Sequence, residues 1–233
     1  MSKILTIDYE TSDSRVNFGQ VLQAGIVISD DKLNIQSRHE LRCRLKPTVI
    51  PSIGACLVHK IPVNILKNSN KSHYEMVLEH YNLIKDNTPS VVMGFNQVAF
   101  DIEFYRRMLY KSLIPDVYQT NTNGNRHLDI LNVSRAAKFV DNDSIQTILN
   151  EKNRDSFKLA DLSTANKINN GTSHDAITDC LNSIDLAKII FKKTNHIWND
   201  ALLLTTKKDT ENFILKNKIY TSLEYFYGNT HPF

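Results

Sequence analysis

The chain is 233 residues long, 41% apolar and 23% charged, with both signs interspersed, which excludes global disorder and leaves ample length for one large domain, or a domain with an appendage, to bury a core. A net charge of +3 and a pI of about 8.6 are too mildly basic to point on their own to a nucleic-acid partner. Three widely spaced cysteines, Cys43, Cys56 and Cys180, form neither a zinc pattern nor a disulfide framework, and no apolar run reaches signal-peptide or membrane-span length; the expectation is a soluble, cytoplasmic protein with no membrane partner.

In chain order, residues 3–8 read as a β-rich run closing on Asp8, and residues 21–29 and 36–45 supply two further strands of an N-terminal meander. The Pro-bounded stretch from Pro47 to Pro62 predicts a short helix with irregular flanks. Residues 72–86 carry helical periodicity, with Tyr74, Val77, Leu78, Tyr81 and Ile84 on one face. A compact strand, Ser90 to Gly94, precedes a helix from about Ala99 to Tyr110. Residues 115–127 are polar and read as a loop. Helices are expected near 129–138, 143–150 and 158–166, and a long one over 175–193 with Ile177, Cys180, Ile184, Ala187 and Ile190 on one stripe. Strand and helix signals alternating after a meander predict an α/β fold, a mixed central sheet with helices on both faces. The division expected is a domain over residues 1–192 and a helical C-terminal extension over 193–233, read also as the start of a truncated second domain.

Four short strings in fixed order carry chemistry: Asp8-Tyr9-Glu10-Thr11, Gly94-Phe95-Asn96, Phe100-Asp101, and His174 with Asp179. Asp8 and Glu10 are two apart on a strand, so both side chains face one side. Alone, such a pair is commonly a solvated strand end; here it closes an apolar strand, where two acids repel unless a cation lies between them. Asp101 opens a helix, and a first-turn acid facing the positive dipole end is a sufficient reading of it in isolation. His174 and Asp179, five apart, do not share a face of one continuous helix. His174 is therefore expected in the loop ahead, with Ser173 or Asp175 as N-cap and Asp179 one turn inside. Taken alone, a His–Asp pair is more often a cap and a surface acid, and His59, His73 and His127 read as surface or loop residues. Four carboxylates drawn from distant segments cluster when something cationic holds them, most often a pair of divalent metal ions.

As a set, these strings resemble the five invariant residues of the DEDD 3′–5′ exonucleases of the histidine subclass, the DnaQ-like family, which has a ribonuclease-H-like fold. The resemblance narrows to the nuclease domain of bacterial exonuclease I. It is carried by Asp8 to Thr11, by Gly94 to Asp101, by Asp129-Ile130-Leu131-Asn132-Val133-Ser134-Arg135-Ala136, and by Ser156 to Asn166 continuing to Ser173-His174-Asp175-Ala176 and Asp179, and it spans roughly residues 4–190. Two positions depart from the family pattern. Lys158 replaces an arginine, keeping the charge but losing the planar fork, and Asn132 replaces an acid outside the five site residues. The related exonuclease has further C-terminal domains for which a chain ending at Phe233 has no room, so the expectation is either a truncated piece or a naturally short relative.

The resemblance implies that Asp8, Glu10, Asp101 and Asp179 hold two Mg²⁺ or Mn²⁺ ions, with His174 as general base and Glu10 also beside the terminal 3′-hydroxyl. It implies a hydrolase releasing nucleoside 5′-monophosphates from single-stranded nucleic acid, DNA ahead of RNA, in a repair-type role. Thr11, Asn96, Phe100 and Lys158 are the expected contacts to the strand, with Phe18 a further stacking candidate. Two alternatives stay open: an exoribonuclease using the same five residues, and a catalytically inactive nucleic-acid-binding module that kept the fold.

Overall fold

The computed structural model describes residues 3–171, 174–226 and 228–233. Three strands open the chain: β1 (Lys3–Thr11), β2 (Val21–Ser29) and β3 (Ile35–Arg42). They pair antiparallel, with Asp8 opposite Gly25 and Glu10 opposite Gln23. Helices α1 (Ile53–His59), α2 (Val63–Asn68) and α3 (His73–Asp86) follow, then β4 (Ser90–Gly94), which joins β1 in parallel. Next come α4 (Asp101–Lys111), a 3₁₀ turn at Gln119–Asn121, β5 (Arg126–Asp129), α5 (Ile130–Val140), α6 (Leu159–Ala165), α7 (Ala176–Lys193), α8 (Asn195–Leu203) and α9 (Lys207–Lys216). A separate two-stranded hairpin, β6 (Leu223–Phe226) with β7 (Asn229–Pro232), ends the chain. The mixed five-stranded sheet runs in the order β3-β2-β1-β4-β5. Among the described residues no helix is long and apolar enough to cross a membrane.

The chain divides into two compact units, Met1–His127 with Gly171–Leu181, and Leu128–Asn170 with Asn182–Phe233. In the first unit β1 is the spine, and its two faces have different jobs. Leu5, Ile7 and Tyr9 enter the core with Met76, Val77 and Ile84 of α3 and Ile102, Tyr105 and Leu109 of α4. The Tyr9 hydroxyl meets His80 Nε2 at 2.7 Å, and the His80 and Tyr105 rings lie 4.9 Å apart. The opposite face of β1 and β2 receives the first turns of α7. A Cβ on Gly25 would come within 2.4 Å of the Ala176 carbonyl oxygen, so only glycine admits this approach. Buried Cys180 lies against the backbone there, its Sγ 3.5 Å from the carbonyls of Thr6 and Gly25.

The second unit buries Leu131, Ala137 and Leu162 with Leu186, Ala187, Ile190 and Trp198. Arg135 packs against two rings, 3.5 Å from the Tyr225 centroid and 5.9 Å from that of Phe157.

Four expectations are corrected. No helix forms over 143–150. The Asn166 side chain accepts from the Gln146 N–H and donates to its C=O, at 2.9 and 2.8 Å, removing both groups from helix bonding, and Leu149 bridges to Asp155 instead. The loop over 115–127 contains the 3₁₀ turn and the start of β5. The buried stripe of α3 is His73, Met76, Val77, His80 and Ile84, whereas Tyr74 and Leu78 are exposed; two polar members hid this stripe from an apolar count. His59 and His73 are buried rather than surface residues, and His127 is half-buried. In addition, residues 193–233 hold the hairpin as well as α8 and α9, and α2 and β5 had no sequence forecast.

Candidate active site

Strand β1 runs past Asp8 to Thr11, which sets Asp8 and Glu10 on one face and turns Tyr9 into the core. The register slips between Glu10 and Thr11, a bulge that ends regular pairing beside the two acids. On the neighbouring strand, Gly94 closes β4 so tightly that a Cβ would lie 2.8 Å from the Ile7 carbonyl oxygen. Gln97 then donates from Nε2 to the Val92 carbonyl at 2.7 Å, folding the chain back so that Asp101 begins α4. Asp101 is buried, and its first-turn position sets the carboxylate at the positive end of the helix.

Asp175 caps α7, accepting from the Thr178 N–H at 3.1 Å; its alternative, Ser173, lies outside the described residues. Gln23 donates to the same carboxylate at 3.0 Å and Arg42 lies 3.8 Å away. Against the effect of burial, these partners hold Asp175 below its ordinary range. Asp179 follows one turn inside the helix. Exposed His174 precedes the helix in the left-handed region (φ 65°), its backbone N–H donating to Asp179 Oδ2 at 3.1 Å.

Asp8, Glu10, Thr11, Asn96, Phe100, Asp101, His174 and Asp179 all line one cleft of about 440 Å³. Potential ligand atoms of Glu10, His174 and Asp179 lie within 4.8 Å of one another. Burial raises Asp8 well above the usual carboxylate range, and Asp101, Asp179, Glu10 and Asp175 push it further the same way. Glu10 is pushed from 4.5 to about 8 by burial and then by Asp179 and Asp175. A site that crowds acids and resists their ionisation has the donor chemistry for a hard divalent cation. Lys158 is exposed at the N-cap of α6, in the second unit.

Sequence reasoning missed a wall of the cleft formed by Ser14, Ser52, Ala55, Val58 and His59. Ser52 caps α1 by accepting from the Ala55 N–H at 3.2 Å. His59 Nδ1 accepts from the Ile61 N–H at 2.9 Å, while its Nε2 is buried with no partner among the described residues. The capping serine was the one local signal available; Ala55, Val58 and His59 belong to no chemical motif.

The mixed five-stranded sheet with helices around it is a ribonuclease-H-like α/β fold. No protein-family profile matches the chain. In sequence it resembles exodeoxyribonuclease I: it is 27% identical to the protein of that name from Buchnera aphidicola subsp. Acyrthosiphon pisum over 206 residues, 88% of this chain and 50% of the relative. The fold is that of Escherichia coli exonuclease I, solved with a dA16 oligonucleotide (TM-score 0.86, 23% identity, 92% of this chain and 46% of that one). A zinc-bound form of the same E. coli enzyme with single-stranded DNA matches at TM-score 0.85 and 24% identity, over 92% and 46% of the two chains. The chain thus spans about half the length of the relatives it matches.

Proposed function

We propose that this chain is a divalent-metal-dependent 3′–5′ exonuclease acting on single-stranded DNA and releasing nucleoside 5′-monophosphates. The observation that carries this reading is the convergence of Asp8, Glu10, Asp101 and Asp179 with His174 in one cleft. The single-stranded DNA in the structures of the E. coli enzyme supports the choice of substrate.

The four carboxylates would hold two Mg²⁺ or Mn²⁺ ions, which when bound supply positive charge to the phosphodiester and make water a competent nucleophile at neutral pH. Burial first, and then the neighbouring carboxylates, raise Glu10 and Asp8; a bound cation would oppose both effects and favour their ionised forms. His174, exposed and tethered to Asp179 through its backbone N–H, takes the proton of the attacking water. Water oxygen bonds to phosphorus, the P–O3′ bond breaks, and the departing 3′-oxygen is protonated to a hydroxyl. Phe100 offers a ring to the terminal base, and Thr11 and Asn96 polar groups to the sugar and phosphate; Lys158 would serve the strand as a phosphate contact.

The test is incubation of 5′-labelled single-stranded DNA, duplex DNA and RNA with Mg²⁺ or with chelator. Single-stranded DNA should shorten from its 3′ end in Mg²⁺ and remain intact in chelator. Preferential shortening of RNA would replace this reading with an exoribonuclease, and an unchanged ladder on every substrate would favour a binding module.

A further inference from the structure

Besides the acidic cleft, the first unit has a pocket of opposite charge. It measures about 210 Å³, and its walls include Phe18, Lys46, His73, Phe104, Arg107 and Lys111, with no acidic side chain among the lining residues. Arg107 and Lys111 are four apart on α4 and so share a face. Lys46 arrives from the loop after β3. Among the described residues neither Lys46 nor Arg107 enters an ion pair, and the Lys111 ammonium donates only to the Asn17 carbonyl, at 2.9 Å. The cations oppose one another. Burial lowers the Lys111 pKa, and Lys46 and Arg107 lower it further. Burial, with Lys46 and Lys111, pushes His73 to about 4, so its imidazole is neutral.

Three converging cations with no local counter-charge suit an anion, and the rest of the wall narrows which one. Phe18 is 69% exposed, with the Arg15 guanidinium 5.3 Å from its ring centroid. Phe104 lies 4.8 Å, centroid to centroid, from Phe100, which lines the acidic cleft. Ser14 lines that cleft and Phe18 this pocket, so one short loop borders both. An exposed ring beside phosphate-binding cations matches the stacking-plus-charge pattern of single-stranded nucleic-acid recognition. The volume falls below the roughly 300–1,000 Å³ of sites for drug-sized ligands, so the pocket takes one phosphate-bearing unit and not a length of strand.

We propose that this pocket is a second nucleotide subsite, holding a phosphate against Lys46, Arg107 and Lys111 and a base against Phe18. That the phosphate belongs to a nucleotide rests on the nuclease reading; the demand for an anion does not. The nucleotide is either a unit of the bound strand or free nucleoside 5′-monophosphate.

The test is binding of dAMP, inorganic phosphate and a 5′-labelled oligothymidylate, all in chelator so that hydrolysis and metal-borne phosphate binding play no part. Proteins compared are wild type, R107A/K111A, and K46Q as a second route should the double variant fail to fold. A tenfold or greater loss of dAMP affinity in the variants identifies the free nucleotide. A loss confined to the oligomer, with a shallower salt dependence, identifies a strand unit. In either case Mg²⁺-dependent cleavage of a dinucleotide stays at the wild-type rate. Unchanged affinity for both ligands overturns the proposal, as does inorganic phosphate binding as tightly as dAMP. Loss of dAMP affinity in a protein that cleaves nothing would keep the pocket and sink the nuclease reading.

Discussion

At Glu10, burial and two neighbouring carboxylates act in one direction, and Asp8 feels the same forces from four neighbours. A cation that binds only the folded protein raises stability by RT ln(1 + [L]/Kd), about 2.7 kcal/mol at a hundredfold excess over Kd. Millimolar Mn²⁺ should therefore raise the melting temperature of the chelated protein by several degrees, and Asp8→Asn should shrink that rise, as read by a thermal melt. His174 carries a different prediction. Removing a positioned general base costs about 10²–10⁴ in kcat, so His174→Ala should lose activity on that scale in a single-turnover assay while keeping the Mn²⁺-dependent rise in melting temperature. Loss of both together would make His174 a metal ligand, an arrangement its 4.8 Å grouping with Glu10 and Asp179 permits.

The elements that position these groups depend on close backbone approaches. Gly25 lets α7 settle on β2, and Gly25→Ala forces the Ala176 carbonyl away from a Cβ 2.4 Å distant. Overpacking of this kind costs about 1–3 kcal/mol, and because Asp179 lies one turn along the same helix, activity should fall more steeply than a urea midpoint would suggest. On the other face of β1, burial drives His80 to about 4, as it does His73, where Lys46 and Lys111 assist. Both pKa values are depressed below the unfolded value of 6.5. Their contribution is thus intact above pH 6.5 and is lost as pH falls towards 4. Urea unfolding should show stability declining through that window, and His80→Gln should flatten the decline. Strands β1 to β4 and helices α4, α5 and α7 were legible because their hydrophobic period agrees with their packing. The α3 face was not, because His73 and His80 are buried by the core they help build, and 143–150 was not, because Asn166 competes for its backbone from 20 residues away.

For the whole molecule, the order of the acidic strings foretold the cleft, since strand period alone puts Asp8 and Glu10 on one face and capping by Asp175 sets Asp179 beside them. The wall from α1 and the basic pocket were invisible, because Ala55, Val58 and His59 reach the cleft, and Lys46 reaches Arg107 and Lys111, only in the folded chain. A strand bound through phosphates should respond strongly to salt: three contacts at about −0.7 each in log–log slope reduce affinity more than tenfold between 50 and 200 mM. Anisotropy of labelled oligothymidylate in chelator measures this, and a flat response would argue against backbone binding. Titration of Mn²⁺ into the metal-free protein, followed by calorimetry or by the electron-spin signal of free Mn²⁺, asks whether the clustered carboxylates are a divalent-cation site. Wild type and His174→Ala should bind Mn²⁺, and Asp8→Asn should bind it at least tenfold more weakly; a wild-type protein that takes up no Mn²⁺ at millimolar concentration would contradict the account.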